Sequence, residues 1–301
     1  ISIVKVITHN GITSIGNKAF SGCIKLTDIS IPENLTELGE SAFFNCGEIT
    51  SLIIPSGVNI INDNTFNGCV KLESIELPSG ITSLGIGAFN GCESLEEIKI
   101  PKMTTTLGIN CFTKCTNLSK VEFENGSILN KINSYAFSGC LELTSISIPD
   151  TVDEIGEFAF NLCSKLTSVT LPSGLKVITK DMFNQCSSLT SIDLPDEIET
   201  INECAFQLCT SLEKLILKEN VTKIDSNIVF GCTSLSEIEI HTTVVENETQ
   251  KMKLEISDNA FAGCKENCKL TFYGDHDSWN DIVTSMQNEY ADKLVITLKE
   301  N

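Results

Sequence analysis

LTDISIPENLTELGESAFFNC at 26–46 returns, with the same skeleton, as LTSISIPDTVDEIGEFAFNLC at 143–163. The Cys that closes each stretch sets the count. Cys23, Cys46, Cys69, Cys92 and Cys115 stand 23 residues apart; two extra residues precede Cys140, and Cys163, Cys186, Cys209 and Cys232 then resume the step. Cys264 follows after a longer gap. A fixed period in the twenties is the mark of a chain wound into stacked coils. Phe stands three residues before the Cys of every coil except that of Cys232, which has Val229 there. A small residue, as in Ala42 and Ala88, precedes that Phe, and an aliphatic residue lies eight before the Cys. All seven prolines fall nine residues after a repeat Cys.

Physical chemistry turns this skeleton into a coil. Aliphatic residues three, six and eight places after the Cys, such as Leu72, Ile75 and Leu77, end in a period of two, which is a short strand with one face buried. Proline has no N–H to give a ladder, so it marks the strand end. The Ile-Gly-x-x-Ala-Phe-x-x-Cys stretch is too short for a long helix and reads as a tight turn or short helical segment, with Gly permitting the turn. One coil cannot bury its apolar residues alone; stacking makes a continuous core. Strands of successive coils then lie about 4.8 Å apart in a parallel sheet, and eleven coils extend on the order of 50 Å.

The pattern L-x-x-I-x-[IL]-P-x-x-[LVI]-x-x-I-G-x-x-A-F-x-x-C resembles the 23-residue leucine-rich repeat of the BspA-like (Treponema pallidum-type) family, over roughly residues 3–270. The resemblance implies an α/β repeat solenoid: a leucine-rich repeat arc with a parallel sheet on the concave face and short turns or helical segments opposite. It also implies a microbial surface or secreted protein that binds host matrix proteins or other cells. The expected division is a solenoid over 1–272 and a C-terminal cap over 273–301. In the cap, Trp279, Ile282, Val283, Met286 and Tyr290 have helical spacing and LVITL at 294–298 reads as a strand. The N-terminus starts in strand phase with Ile3 and Val6 at core positions, as a fragment of a longer chain would.

Composition excludes several classes. The 21 basic residues are all Lys and face 40 acidic ones, for a net charge of −19. Nucleic acid, heparin-like polyanions and anionic lipid need basic patches that this chain lacks. No apolar run reaches the length of a membrane span, so no membrane insertion is expected in this segment. No nucleophile elbow, P-loop or dinucleotide glycine motif occurs, so no enzyme activity and no cofactor are expected. His9 and His241 occupy the phase of the missing proline, and His276 lies in a polar stretch. The fourteen cysteines lack the paired spacing of metal ligands and read as buried core thiols, with Cys111 at the Ala position. Cys264 and Cys268 are close enough in sequence to be either free or bridged. Five N-x-[ST] sequons stand at Asn34, Asn117, Asn125, Asn220 and Asn247.

The repeat breaks in two places. EFENGSILN at 122–130 replaces a proline and reads as a widened loop with Gly126 at its turn; HTTVVENETQKMKL at 241–254 lengthens another coil. Insertions of this kind are either partner-binding loops or tolerated surface additions. Residues five and seven places after each Cys point away from the core and line the sheet face. Glu97, Lys99, Lys120 and Glu122 make a diagonal pattern of opposite charges there. Ser145, Ser147, Ser168, Thr170 and Ser191 make a hydroxyl strip ending in Asp193. These ten are the candidate partner-binding residues on the concave face, for a protein partner such as a host matrix or cell-surface protein. The expected function is thus a non-enzymatic protein-binding module at a microbial cell surface or secreted. The alternative is an intracellular protist scaffold or signalling adaptor on the same repeat, since secreted chains usually oxidise their thiols.

Overall fold

The structure is a computed structural model that describes residues 2–241, 254–257, 259–274 and 294–299. Within them the chain forms stacked parallel β-solenoid coils in each of two compact units, Ile1–Ser164 and Lys165–Asn301. In the first unit each coil contributes two strands. The anticipated one follows the Cys: Lys5–Val6, Asp28–Ile29, Ser51–Ile53, Ser74–Glu76, Glu97–Ile100, Lys120–Phe123 and Ser145–Ser147. Equivalent residues pair directly, Ser51 with Ser74 and Leu52 with Ile75. Along Glu97–Ile100 exposure alternates, with Ile98 and Ile100 inward. A second, two-residue strand lies around the aliphatic position eight before the Cys. Five of these stack in the order Glu154–Ile155, Lys131–Ile132, Thr106–Leu107, Ser83–Leu84, Ile60–Ile61. In the sequence that position shows only as a recurring aliphatic residue.

The α in the anticipated α/β class is a correction: no helix occurs among the described residues. The hydrogen bonds of the segment opposite the main sheet explain why. In the coil of Cys46, the N–H groups of Ala42, Phe44 and Cys46 close turns onto Gly39, Ser41 and Phe43 carbonyls three residues back, at 3.0–3.2 Å. The intervening N–H groups of Ser41, Phe43 and Asn45 reach the next coil instead, donating to Asp63, Thr65 and Asn67 carbonyls at 2.7–2.9 Å. An α-helix needs every such donor within its own turn. The alternation also sets a left-handed residue at two places per coil, seen in Ser41 (φ 54°) and Asn45 (φ 57°). Gly fills such places in some coils, but Tyr135, Phe158 and Leu162 accept them at a steric cost.

Two ladders fill the first unit's core. The rings of Phe20, Phe43, Phe66, Phe89, Phe112, Phe137 and Phe160 stack in sequence, with centroids 5.2–5.6 Å apart and planes within 16°. The repeat thiols run beside them, and burial is not their whole role. Each donates its S–H to the Phe carbonyl one coil back, from Cys46 to Phe20 through Cys163 to Phe137, at 3.1–3.3 Å. That carbonyl already accepts the N–H of its own coil's Cys, so the thiol occupies its second lone pair. A small apolar side chain carrying one weak donor fits the position better than Ala or Val. Cys111 is buried, as anticipated from its place in the repeat.

The second unit repeats this plan. Ser168–Thr170, Lys214–Leu217, Glu237–His241, Cys268–Tyr273 and Leu294–Lys299 are its main strands. The last four form one sheet in that order, so 294–299 extends the sheet in parallel to Cys268–Tyr273. Val177–Ile178, Thr200–Ile201, Lys223–Ile224 and Glu255–Ile256 form the companion sheet. Phe183 and Phe206 stack at 5.7 Å, while Cys209 and Cys232 donate to Phe183 and Phe206 carbonyls at 3.1 and 3.0 Å. The helical pattern within 278–290, the insertion beyond His241, and His276 lie outside the described residues.

Candidate recognition face

The outward residues of the main strands line one face of each unit, half-buried along Lys214–Leu217 and Glu237–His241 in the second. In the first unit Glu97, Lys99, Lys120, Glu122, Ser145 and Ser147 are all exposed. The charges do not lie on a diagonal: Glu97 stands directly opposite Lys120, and Lys99 opposite Glu122. Parallel strands in register place like positions side by side, so the charges neutralise along rows. The Lys120 ammonium sits 3.8 Å from the Glu97 carboxylate and 3.4 Å from that of Glu122. Lys99 turns instead to Glu124, at 3.2 Å.

Glu124 comes from the widened loop, which closes by a Ser127 N–H to Glu124 carbonyl bond of 3.0 Å around Gly126 (φ 75°). Its carboxylate also accepts the Lys102 N–H at 3.0 Å. That backbone bond, followed by Lys99, holds the carboxyl below its ordinary range. The loop therefore fixes one wall of an open groove of about 650 Å³ on this face. Ser51, Ser74 and Glu76 supply the floor beside the Glu97–Lys120 rows, and Ile53, 67% exposed, adds an apolar patch. Exposed pairs such as these contribute little stability, so the groove's charges are free to exchange partners.

In the second unit Ser168, Thr170, Ser191 and Asp193 are exposed. Ser191 and Asp193 lie outside the strands, so the expectation of an unbroken strand series fails at that coil. Lys218, which replaces a proline, reaches Asp193 at 3.0 Å and Asp196 at 2.8 Å. Further on, Lys214 contacts Glu237 and Glu239 at 3.1 and 3.0 Å, and Lys269 contacts Glu237 at 3.3 Å. His241 stacks on Tyr273 with centroids 4.3 Å apart, an arrangement that register alone produces once both residues end adjacent strands. His9, on the first unit, is exposed and accepts the Gly11 N–H at Nδ1.

The Lys214 and Lys269 ammonium groups, Lys214 first, hold the Glu237 carboxyl below the usual range. A depressed folded-state value stabilises the fold above the unfolded value and is lost as pH falls through the folded one. Glu237→Gln should therefore narrow the gap in urea stability between neutral pH and conditions well below about pH 4.3, relative to the unmodified chain. An unchanged gap would show that the two lysines do not act on this carboxylate.

All fourteen cysteines carry free thiols; Cys204 and Cys264 are half-buried and the others buried. Among the described residues no group of three His, Cys, Asp or Glu side chains is placed to hold a metal ion, and no helix is long and apolar enough to cross a membrane.

Comparison with known proteins places this geometry. The sequence profile of the BspA type leucine rich repeat region matches in six copies, over residues 1–119, 37–140 and 130–266. The chain belongs to the BspA-type leucine-rich repeat family. Among solved structures it is similar to a leucine rich cell surface protein of Faecalibacterium prausnitzii A2-165, at 27% identity over 92% of this chain and 73% of that one, with a TM-score of 0.52. A leucine-rich repeat protein of Eubacterium ventriosum ATCC 27560 shares the fold at 20% identity, over 87% of this chain and 83% of that one, with a TM-score of 0.52. The leucine rich repeat protein of T. pallidum aligns at 27% identity over 69% of this chain and 78% of that one, with a TM-score of 0.42. Among curated proteins none matches the sequence.

Proposed function

We propose that this chain is a non-enzymatic protein-binding module, displayed on a microbial cell surface or secreted, and that it recognises its partner through the sheet face. The observation that carries the reading is the open groove of about 650 Å³ in the first unit, which side chains from successive coils line together. Rows of self-paired charge keep such a face soluble without a partner, while Ser hydroxyls and Ile53 offer contacts to a protein backbone and an apolar anchor. Family membership and the similarity to a cell surface protein of Faecalibacterium prausnitzii support the location. The ten residues named from the sequence, Glu97 through Asp193, are the proposed contacts, within a solenoid over 1–272 followed by a cap over 273–301.

Two variants test the reading, each confined to one unit. Ser74→Arg with Ser147→Arg crowds the first face, and Ser168→Arg with Thr170→Arg the second. Against a panel of immobilised extracellular-matrix proteins, at least one variant should lose about tenfold or more in affinity for whichever protein the unmodified chain binds. Both should keep the unmodified urea midpoint, because all four positions are exposed. Undiminished binding by both moves recognition off the sheet face. An antibody that labels source cells only after permeabilisation overturns the surface location.

A further inference from the structure

The thiols that join coil to coil are chemically quiet. Burial raises Cys46, Cys163 and Cys232 to about 12, and pushes Cys92, Cys140 and Cys209 well above the ordinary thiol value. The thiolate is the reacting form, so these groups hold hydrogen bonds and resist oxidants. Cys204 is half-buried on a turn, yet desolvation raises it too.

Cys264 departs from that pattern. It is half-buried, and its thiol lies within hydrogen-bonding reach of Cys268, the buried first residue of the strand Cys268–Tyr273. The connecting turn brings the two together: the Cys268 N–H donates to the Lys265 carbonyl at 3.1 Å, and Asn267 adopts the left-handed conformation (φ 62°). The hydrogen bond from Cys268 holds Cys264 below the ordinary thiol value and pushes Cys268 up, so the more exposed sulfur is the one that ionises. The next thiol, Cys232, is buried and donates to the Phe206 carbonyl at 3.0 Å. A partly exposed, acid-strengthened thiol beside a second, resolving thiol is the arrangement of redox-responsive sites.

We propose that Cys264 and Cys268 form a reversible dithiol–disulfide site that exchanges with low-molecular-weight disulfides of the glutathione type. The Cys264 thiolate attacks one sulfur of the small disulfide, forming a mixed disulfide and expelling one small thiolate. Cys268 then loses its proton and attacks the Cys264 sulfur, expelling the second small thiolate. Two protein thiols are oxidised to one disulfide, one small disulfide is reduced to two thiols, and the two protein protons end on the released thiols. An excess of the small thiol reverses both steps. The site is independent of whatever the sheet face binds.

The test uses the full, folded chain in reduced and oxidised glutathione, quenched in acid and alkylated before peptide mapping. The expected product is a loss of two hydrogens on the segment that holds Cys264 and Cys268. Glutathione should attach to Cys264 at least about tenfold faster than to Cys204, the other half-buried thiol. Cys268→Ser should stop at the mixed disulfide on Cys264, and Cys264→Ser should abolish both products while keeping the unmodified urea midpoint. Because the unmodified chain is scored first, a Cys268→Ser variant that fails to fold does not remove the test. A bridge that includes Cys232, faster modification of Cys204, or no change in the folded chain overturns the proposal.

Discussion

Phe89→Ala should lower the unfolding free energy by about 3–5 kcal/mol, the range for truncating a fully buried Phe. Phe89 has no exposed surface, and its ring lies between Phe66 at 5.4 Å and Phe112 at 5.2 Å. Truncation opens a void that those flanking rings cannot fill, because each is held by its own coil's hydrogen bonds to the next. In a stacked chain, stability is roughly a sum of coil and neighbour terms, so losing both interfaces of one coil also weakens coupling between the coils on either side. Urea unfolding followed by circular dichroism measures the effect. Phe20→Ala, at a ring that is half-buried and stacks on Phe43 in the first described coil, should cost much less. Equal losses at the two positions would mean that the ladder carries no more than local packing.

Gly108→Ala should destabilise by about 1–3 kcal/mol, as overpacking does. The sequence reads the Gly of Ile-Gly as the residue that permits a turn, but its backbone is ordinary; the left-handed positions lie elsewhere in the coil. What Gly108 permits is contact. A Cβ there would lie 2.4 Å from the Gly85 carbonyl carbon and oxygen and 2.6 Å from the Ile86 nitrogen. Those are backbone atoms of the preceding coil, pinned where the Gly108 N–H meets the Leu84 carbonyl at 2.8 Å. Gly16 holds the same place in the repeat and has nothing within 4 Å of an added Cβ. Gly16→Ala should therefore stabilise by about 0.4–1 kcal/mol through the unfolded state. Opposite signs at two equivalent positions, read from urea midpoints, separate close packing from backbone freedom. A stabilising Gly108→Ala would restore the turn explanation.

The contrast shows what the one-dimensional pattern carries and what it hides. The 23-residue step, the Phe position and the strand with its inward Ile residues are periodic, so counting residues finds them. Interactions between coils have no such signature. The sequence places Glu97 and Lys120 in neighbouring coils, but only the ladder register shows that they stand opposite one another. The bond from the Cys92 thiol to the Phe66 carbonyl at 3.2 Å leaves no trace beyond the Cys itself, which reads equally well as a plain core residue. The missing helix follows from donors such as Ser41 N–H that turn to the next coil, a choice that local propensity does not encode. At the candidate face, exposure of all ten residues was legible from the period of two, while the groove wall at Glu124 depended on how an irregular loop folds back.

The thiol ladder has a practical consequence. A buried S–H becomes available to an alkylating reagent only when its coil opens, and each repeat coil from Cys46 to Cys163 carries one such group at an equivalent place. Reagent uptake per cysteine, resolved by peptide mass, would thus give a coil-by-coil profile of opening free energies without any engineered label. The molecule carries its own set of evenly spaced stopwatches, and the order in which they start would reveal where along the stack unravelling begins.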